Sequence, residues 1–444
     1  MFNKVLIANR GEIAVRVIRT CKDMGISTVA VYSDADKESL HVKYADEAVH
    51  IGSFLSRKSY LNIDIIVQAA KNTHADAIHP GYGFLSENAS FAKACVENDI
   101  AFIGPSPETH LQTGKKITAK EIAIKVGIPV CPGSKGVISS DDETVRLAGE
   151  IGYPVIIKAS GGGGGKGMRM ADNDQELLEI LSSARGEAMA SFNDPDLYLE
   201  KFLKEPRHIE FQILGDQFGN YLHLGERECS IQRNYQKLVE ESPSPFLDDA
   251  LRKKMGDAAI LVMRSVNYLN AGTVEFLIDA DKNFYFNEIN SRLQVEHPVT
   301  EMVTGIDMVR QQLLIAAGQE MDFENNTPDF KGWSMECRIN AEDTDNNFAP
   351  CPGKIENLIM PGGLNVRMDT HIYPGYEIPP FYDSMVGKLI VWGRNRDEAV
   401  RRMKRALDEF IITGIETTIP FHKKIFANSA FCRGDFTTNF IHTL

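Results

Sequence analysis

Short apolar runs alternate with stretches of helical spacing over the first part of the chain. Val5 to Ala8 is an apolar run, and Glu12 to Met24 sets Ile13, Val17 and Met24 at helical spacing. Thr28 to Tyr32 reads as a second strand, Ile63 to Ala70 as a helix and Ala77 to His79 as a short strand. Phe91 to Val96 falls in a helix, and Ala101 to Ile103 forms another strand. This alternation predicts a parallel sheet covered by helices. The first turn, Asn9-Arg10-Gly11-Glu12, lacks the glycine spacing of a dinucleotide-binding turn.

A connecting region at Pro105-Ser106-Pro107 leads to a second unit beginning near Lys116. Tyr153 to Lys158 predicts a strand, followed by the glycines 161 to 165 and a returning strand at Met168-Arg169-Met170. Asp194-Pro195 marks a break, and Tyr198 to Leu203 is strand-like. Strands, turns and helices follow from His208 to about Gly318. A polar linker, Asn325 to Pro328, precedes a segment of short strands and one amphipathic helix, with Val400, Met403, Leu407 and Phe410 at helical spacing. No internal repeat or low-complexity segment is visible.

The chain has 444 residues, too many for one compact core, so two to four domains are expected. Hydrophobic content of 43% and charged content of 25% are ordinary for a soluble globular protein. A net charge of −13 argues against broad nucleic-acid binding, so anionic substrates must be met by local positive groups. The seven cysteines are scattered and form no C-x-x-C pair, as expected of reduced thiols in the cytoplasm. The apolar run at the N-terminus is too short for a signal peptide, and no membrane-spanning stretch is expected.

The densest chemistry lies in Glu288-Ile289-Asn290-Ser291-Arg292-Leu293-Gln294-Val295-Glu296-His297-Pro298. Carboxylates, amides and a guanidinium suit magnesium and phosphate or carboxylate groups, and no cysteine pair here suits zinc. Gly272 to Ile278 and Phe284 to Asn290 read as two strands joined at Ala280-Asp281-Lys282-Asn283. An even-length loop centred on Asp281 and Lys282 sets Glu275 opposite Glu288, with Cβ atoms about 5 Å apart. That repulsion is costly unless a cation intervenes; an odd loop would break the pairing. Thr273 and Asn290 fall on the same face. The bland alternative is a solvated hairpin face.

Five consecutive glycines after a strand are costly in conformational entropy and suit a mobile backbone whose N–H groups bind phosphate. Ser160 and Gly167 break the P-loop pattern, and a returning strand replaces the helix that G-x-G-x-x-G must open. A glycine-lipped hairpin lid is therefore expected over a plain linker. Lys158, inside an apolar strand, points either to solvent or, the favoured reading, to a phosphate; Lys116 is ambiguous beside Lys115, and His208 is as readily structural as functional. Glu226 to Arg233, ending near Lys237, reads either as a solvated loop or as the wall of a nucleotide pocket.

Taken together, the chain resembles the biotin carboxylase branch of the ATP-grasp superfamily. The match is carried by Ala8 to Ala14, His79 to Asn88, the glycine run, Glu288 to Thr300 and Glu336 to Asp343, and it runs through nearly the whole chain. The resemblance implies a parallel-sheet α/β N-terminal domain at 1–114. It implies an α+β ATP-grasp unit at 115–318 with a lid at about 130–203, and a β-rich C-terminal domain at 334–441. It implies ATP contacts from Lys116, Lys158, Gly164, Gly165, Glu200, Lys201, Phe202, Leu203, His208 and Gln232. Glu275, Glu288 and Asn290 would hold magnesium, or manganese, with Glu275 and Glu288 also near the nucleotide. Lys237, Arg292, Gln294 and Val295 would bind bicarbonate, Glu296 would be the base, and Arg338 would hold biotin. Tyr235 stands where a histidine is common, and Asn287 replaces an apolar residue, so Tyr235 is the least secure nucleotide contact.

The implied chemistry is ATP-dependent carboxylation of biotin through carboxyphosphate. The family's biotinyl domains carry their lysine in a Met-Lys-Met hairpin. The nearest match here, Met403-Lys404, falls in the final helix, so biotin is expected on a separate carrier protein. The resemblance further implies carboxyltransferase partners, a place in acetyl-CoA carboxylase and fatty acid synthesis, and a homodimer through Arg16, Arg19 and Arg367. The alternatives are a split pyruvate carboxylase or other acyl-CoA carboxylase, an ATP-grasp ligase acting on an amine, and a non-catalytic nucleotide-binding regulator.

Overall fold

The structure is a computed structural model that describes residues 1–160, 168–192, 194–323 and 330–444. Strands β1 (Lys4–Ile7), β2 (Ser27–Tyr32), β3 (Glu47–His50), β4 (Ala77–His79) and β5 (Ala101–Phe102) form a parallel sheet in the order β3-β2-β1-β4-β5. Alternate residues of β1 face opposite layers. Leu6 packs with Val29, Ile66 and Phe91, while Val5 and Ile7 pack with Ile13 and Val17 of helix α1 (Gly11–Asp23). The sequence reading misses β3, a largely exposed edge strand with no apolar run to announce it.

Strands β6 (Val155–Ala159), β7 (Met168–Ala171) and β8 (Leu197–Lys201) make a small antiparallel sheet ordered β7-β6-β8. Its own core joins Val155, Ile157, Leu197 and Leu199 to Leu177, Leu181 and Ala188 of the helix Asp174–Phe192. The returning strand at Met168 is present, with Lys158 opposite Met168. The glycines 161 to 165 that join the two strands, and the linker 325 to 328, lie outside the described residues.

The largest element is an eight-stranded antiparallel sheet. Its first six strands run β13 (Phe284–Asn290), β12 (Asn270–Ile278), β9 (Arg207–Gly215), β10 (Tyr221–Arg233), β11 (Gln236–Ser242) and β14 (Trp333–Asn340). The strands Met385–Gly393 and Val366–Thr370 complete it. The charged run Glu226 to Arg233 is neither a loop nor solvated. It lies in β10, and Glu226, Arg227 and Glu228 are buried. The predicted final helix spans Arg396–Glu409 and buries Val400, Met403 and Leu407. Among the described residues no helix is long and apolar enough to cross a membrane.

Arg16 of α1 is buried, donating to Glu301 at 2.7 Å and Asp307 at 2.8 Å. Arg367 donates to the same Glu301 at 2.7 Å, so these two arginines meet through one carboxylate within the chain, while Arg19 is exposed.

Candidate active site

A cleft of about 1640 Å³ opens between the parallel sheet, the small sheet and the eight-stranded sheet. It brings together every described site residue singled out from the sequence: Lys116, Lys158, Glu200, Lys201, Phe202, Leu203, His208, Gln232, Tyr235, Lys237, Glu275, Glu288, Asn290, Arg292, Gln294, Val295, Glu296 and Arg338. Gly164 and Gly165 lie outside the described residues.

The hairpin of β12 and β13 reaches the expected pairing by an unexpected route. Its turn is odd, running from Asp279 to Asn283, with the Asp279 N–H donating to the Asn283 carbonyl at 3.0 Å. Phe276 therefore pairs with Phe286, a register centred on Asp281 alone. A bulge then shifts the ladder by one residue, setting Glu275 opposite Glu288 and Thr273 opposite Asn290. Asn287 is the extra residue. The two carboxylates are neutralised separately. Lys116 reaches Glu288 at 2.7 Å, while His208 and Lys237 reach Glu275 at 2.8 and 3.1 Å. Asn290 donates to Glu275 at 3.0 Å and accepts from Arg292 at 3.0 Å.

At one end of the cleft, Lys158 of β6 pairs with Glu200 of β8 at 2.5 Å, and Lys120 reaches the other oxygen of Glu200. Burial opposes ionisation of Glu200, but the two ammonium groups outweigh it and hold its pKa at about 2. Lys120 was missed from the sequence; its signal was its place one helical turn beyond Lys116. Lys201 donates to the carbonyls of Gly152 and Tyr153 at 2.8 and 2.9 Å, so its ammonium is tied to the chain beside the cleft. Tyr235 sits at the tip of the β10–β11 hairpin, 54% exposed, with φ of +63° after Asn234 at +49°. Successive positive φ angles mark a two-residue hairpin turn, here carrying an exposed aromatic ring over the cleft.

The other end is an alternating series of buried charges. Arg227 donates to Glu210 at 2.5 Å, and Lys237 reaches Glu210 at 2.5 Å and Glu296 at 2.6 Å. Arg338 joins Glu296 at 2.9 Å to Glu240 at 2.6 Å. Burial disfavours the Glu296 carboxylate, but Lys237 and Arg338 outweigh it and hold its pKa well below the usual range. Glu275 is held low in the same way by Lys237 and His208. Burial dominates at Glu240, pushing it up to about 7 despite Arg338. Arg292 is steadied by Glu87 at 3.0 Å and Gln294 at 2.7 Å. Glu210 and Glu240 were missed from the sequence, and Arg227 and Glu87 were seen only as members of a charged run and a motif, not as site residues. For Glu210 the signal was legible: His208, Glu210 and Gln212 alternate with Ile209, Phe211 and Ile213, placing polar groups on one face of a strand.

Glu275, Glu288 and Asn290 offer two carboxylates and an amide oxygen on facing strands, a hard-oxygen set that fits magnesium or manganese. A second convergence, Glu210, Cys229 and Glu296, fits such a cation poorly, because burial pushes the Cys229 thiol well above its usual range.

Comparison with known proteins agrees along the whole chain. Residues 1–110 match the biotin carboxylase N-terminal domain, 115–324 the ATP-binding domain of the carbamoyl-phosphate synthase L chain, and 336–443 the biotin carboxylase C-terminal domain. The chain is 54% identical over its full length to biotin carboxylase 1 of Bacillus subtilis, covering 99% of that protein. It is 52% identical over 99% of its length to a pyruvate carboxylase subunit from Methanothermobacter thermautotrophicus, covering 90% of it. A crystal structure of the biotin carboxylase domain dimer of Hydrogenobacter thermophilus 2-oxoglutarate carboxylase, in complex with MgADP, ADP and bicarbonate, is 48% identical. It superposes with a TM-score of 0.96, covering 100% of this chain and 98% of that one. With its three matched regions folded around one acid-and-base-lined cleft, the chain belongs to the biotin carboxylase family of ATP-dependent enzymes.

Proposed function

We propose that the chain carboxylates biotin borne on a separate carrier protein, using Mg-ATP and bicarbonate, as the first half-reaction of an acetyl-CoA carboxylase in the cytoplasm. The observation that carries this reading is Glu296 held between Lys237 and Arg338 in the same cleft as the Lys158–Glu200 pair. Lys116, Lys158, His208, Gln232, Tyr235 and the edge from Glu200 to Leu203 hold the nucleotide. Glu275, Glu288 and Asn290 hold magnesium, which when bound screens phosphate charge. Lys237, Arg292, Gln294 and Val295 bind bicarbonate.

A carboxylate flanked by two cations is a weak base. Bicarbonate drawn toward Lys237 and Arg292 competes with Glu296 for Lys237, which raises the proton affinity of Glu296 as substrate arrives. Glu296 then takes the bicarbonate proton, and the bicarbonate oxygen attacks the γ-phosphorus, releasing ADP and forming carboxyphosphate. Carboxyphosphate breaks down to carbon dioxide and phosphate, and the phosphate deprotonates biotin. The negative charge that builds on the ureido oxygen meets the guanidinium of Arg338, and the ureido nitrogen then attacks carbon dioxide, forming the N–C bond of carboxybiotin.

The test is ATP turnover with and without bicarbonate and free biotin. Bicarbonate-dependent hydrolysis with carboxybiotin formation is expected; hydrolysis that depends on an amine instead of bicarbonate would refute the reading. The 52% identity to a protein of pyruvate carboxylase supports a split pyruvate carboxylase as the second reading. Reconstitution with a biotinylated carrier and transferase distinguishes them by whether acetyl-CoA or pyruvate is carboxylated. Assembly as a homodimer, with the exposed Arg19 at its face, is part of the proposal. A particle of one chain's mass in light scattering would contradict it.

A further inference from the structure

Lys388 lies in the middle of the apolar strand Met385–Gly393, and none of it reaches solvent. An ammonium buried this completely costs several kcal/mol unless its surroundings compensate. Its Nζ donates to the carbonyl of Val295 at 2.8 Å, lies 3.4 Å from a carboxylate oxygen of Glu12 in α1, and sits 5.7 Å from the ring centre of Tyr82. Neither carboxylate oxygen of Glu12 has a well-formed hydrogen bond, and the same holds for Glu336 across the sheet. Burial pushes Glu12 up to about 7, against the pull of Lys388. Lys388 does not line the cleft, so nothing in the reaction described above uses it.

What it touches is the segment from Ser291 to Glu296, which has no regular structure yet carries Arg292, Gln294, Val295 and Glu296. Irregular backbone that is buried needs a partner for each polar group. Three regions supply them. The Ser291 N–H donates to Glu87 at 3.0 Å, and its hydroxyl lies 2.9 Å from the ring of His110. The Gln294 carbonyl lies 2.8 Å from Nδ1 of His297. The Val295 carbonyl receives Lys388.

We propose that Lys388, steadied by Glu12, is a positioning residue that fixes the peptide joining Val295 to Glu296 and so aligns the bicarbonate pocket with its base. The assignment rests on the reading of Arg292 to Glu296 as the bicarbonate site. Groups misplaced by about 1 Å lose on the order of 100-fold in rate, so one buried tether is enough to matter.

Lys388→Met keeps most of the side-chain volume and removes the donor. In bicarbonate-dependent ATP hydrolysis it is expected to raise KM for bicarbonate about 10- to 100-fold while KM for ATP stays within about twofold. A general loss of structure would move both constants. An unchanged bicarbonate KM in the folded variant, or an equal rise in both constants, overturns the inference. If Lys388→Met leaves Glu12 uncompensated and the chain misfolds, the double variant Lys388→Met/Glu12→Gln removes both charges and is judged by the same two constants. A wild-type chain without bicarbonate-dependent hydrolysis would overturn the functional reading and this inference with it; an unchanged KM in the variant overturns the inference alone.

Discussion

The two ends of the cleft handle charge differently. At the end proposed for the nucleotide, Lys158 and Lys120 converge on one carboxylate, Glu200, which stands on a small three-stranded sheet with its own core. At the end proposed for bicarbonate, Arg227, Lys237 and Arg338 of one continuous eight-stranded sheet interleave with Glu210 and Glu240 of that sheet and with Glu296 of the irregular segment that follows β13. The first arrangement has an excess of positive groups beside a site proposed for polyphosphate. The second has carboxylates enough to match its cations, so an incoming anion must displace an internal partner. Binding at one end relieves repulsion; binding at the other exchanges one ion pair for another and can thereby release a base.

The largest expected effect separates the two roles within the bicarbonate end. Glu296→Ala should lose both bicarbonate-dependent ATP hydrolysis and biotin carboxylation by about 10² to 10³ or more. Arg338→Ala should lose carboxylation by a similar factor yet retain slow bicarbonate-dependent hydrolysis, because carboxyphosphate still forms and decays. ATP turnover with and without biotin decides the matter; the opposite pattern would reverse the assignments.

A smaller effect is expected at the nucleotide end. Glu288→Gln should weaken Mg-ATP binding roughly 10-fold, the scale of perturbing a metal's surroundings, and slow phosphoryl transfer. Calorimetric titration showing equal affinity in both proteins, together with equal turnover, would remove Glu288 from the metal set and leave it as the partner of Lys116.

A pH effect concerns stability instead of turnover. Glu12 is pushed from 4.5 to about 7 by burial, with Lys388, Asp369 and Arg367 as the charged groups around it. A carboxyl raised in the folded state contributes stability that is complete below its unfolded pKa and is lost as pH rises through its folded pKa. The wild type should therefore lose up to about 3 kcal/mol from this group between roughly pH 4.5 and pH 7. Glu12→Gln should not, so its urea midpoint relative to wild type should improve from pH 5 to pH 8. A constant difference across that range would show that Glu12 titrates normally.

Local chemistry was legible in the sequence, and its neutralisation was not. The strands flanking the glycine run, the hairpin and the density of Glu288 to Pro298 were readable because they are contiguous. The pairing of Glu275 with Glu288 was foreseen on the wrong grounds: the turn is odd, and a bulge at Asn287 restores the register. Glu226 to Arg233 read either as a solvated loop or as a pocket wall because six of its eight side chains are polar or charged. It is buried because its partners, Glu210, Arg252 and Arg207, come from elsewhere in the chain. Lys388 was invisible for the same reason, since its meaning depends on Val295 and Glu12, far away in sequence.

The pairing of β11 with β14 bears on how such a chain can be inherited. Glu240 and Glu336 face each other there, on either side of the segment that separates the second matched region from the third. Cutting the gene at that boundary would leave two raw sheet edges prone to stray association, each lined with half of an acid network. Recombination between relatives at that seam would succeed only where both parents carry matching edges. Neither region's edge is satisfied without the other, so a change on one side of the seam must be matched on the other.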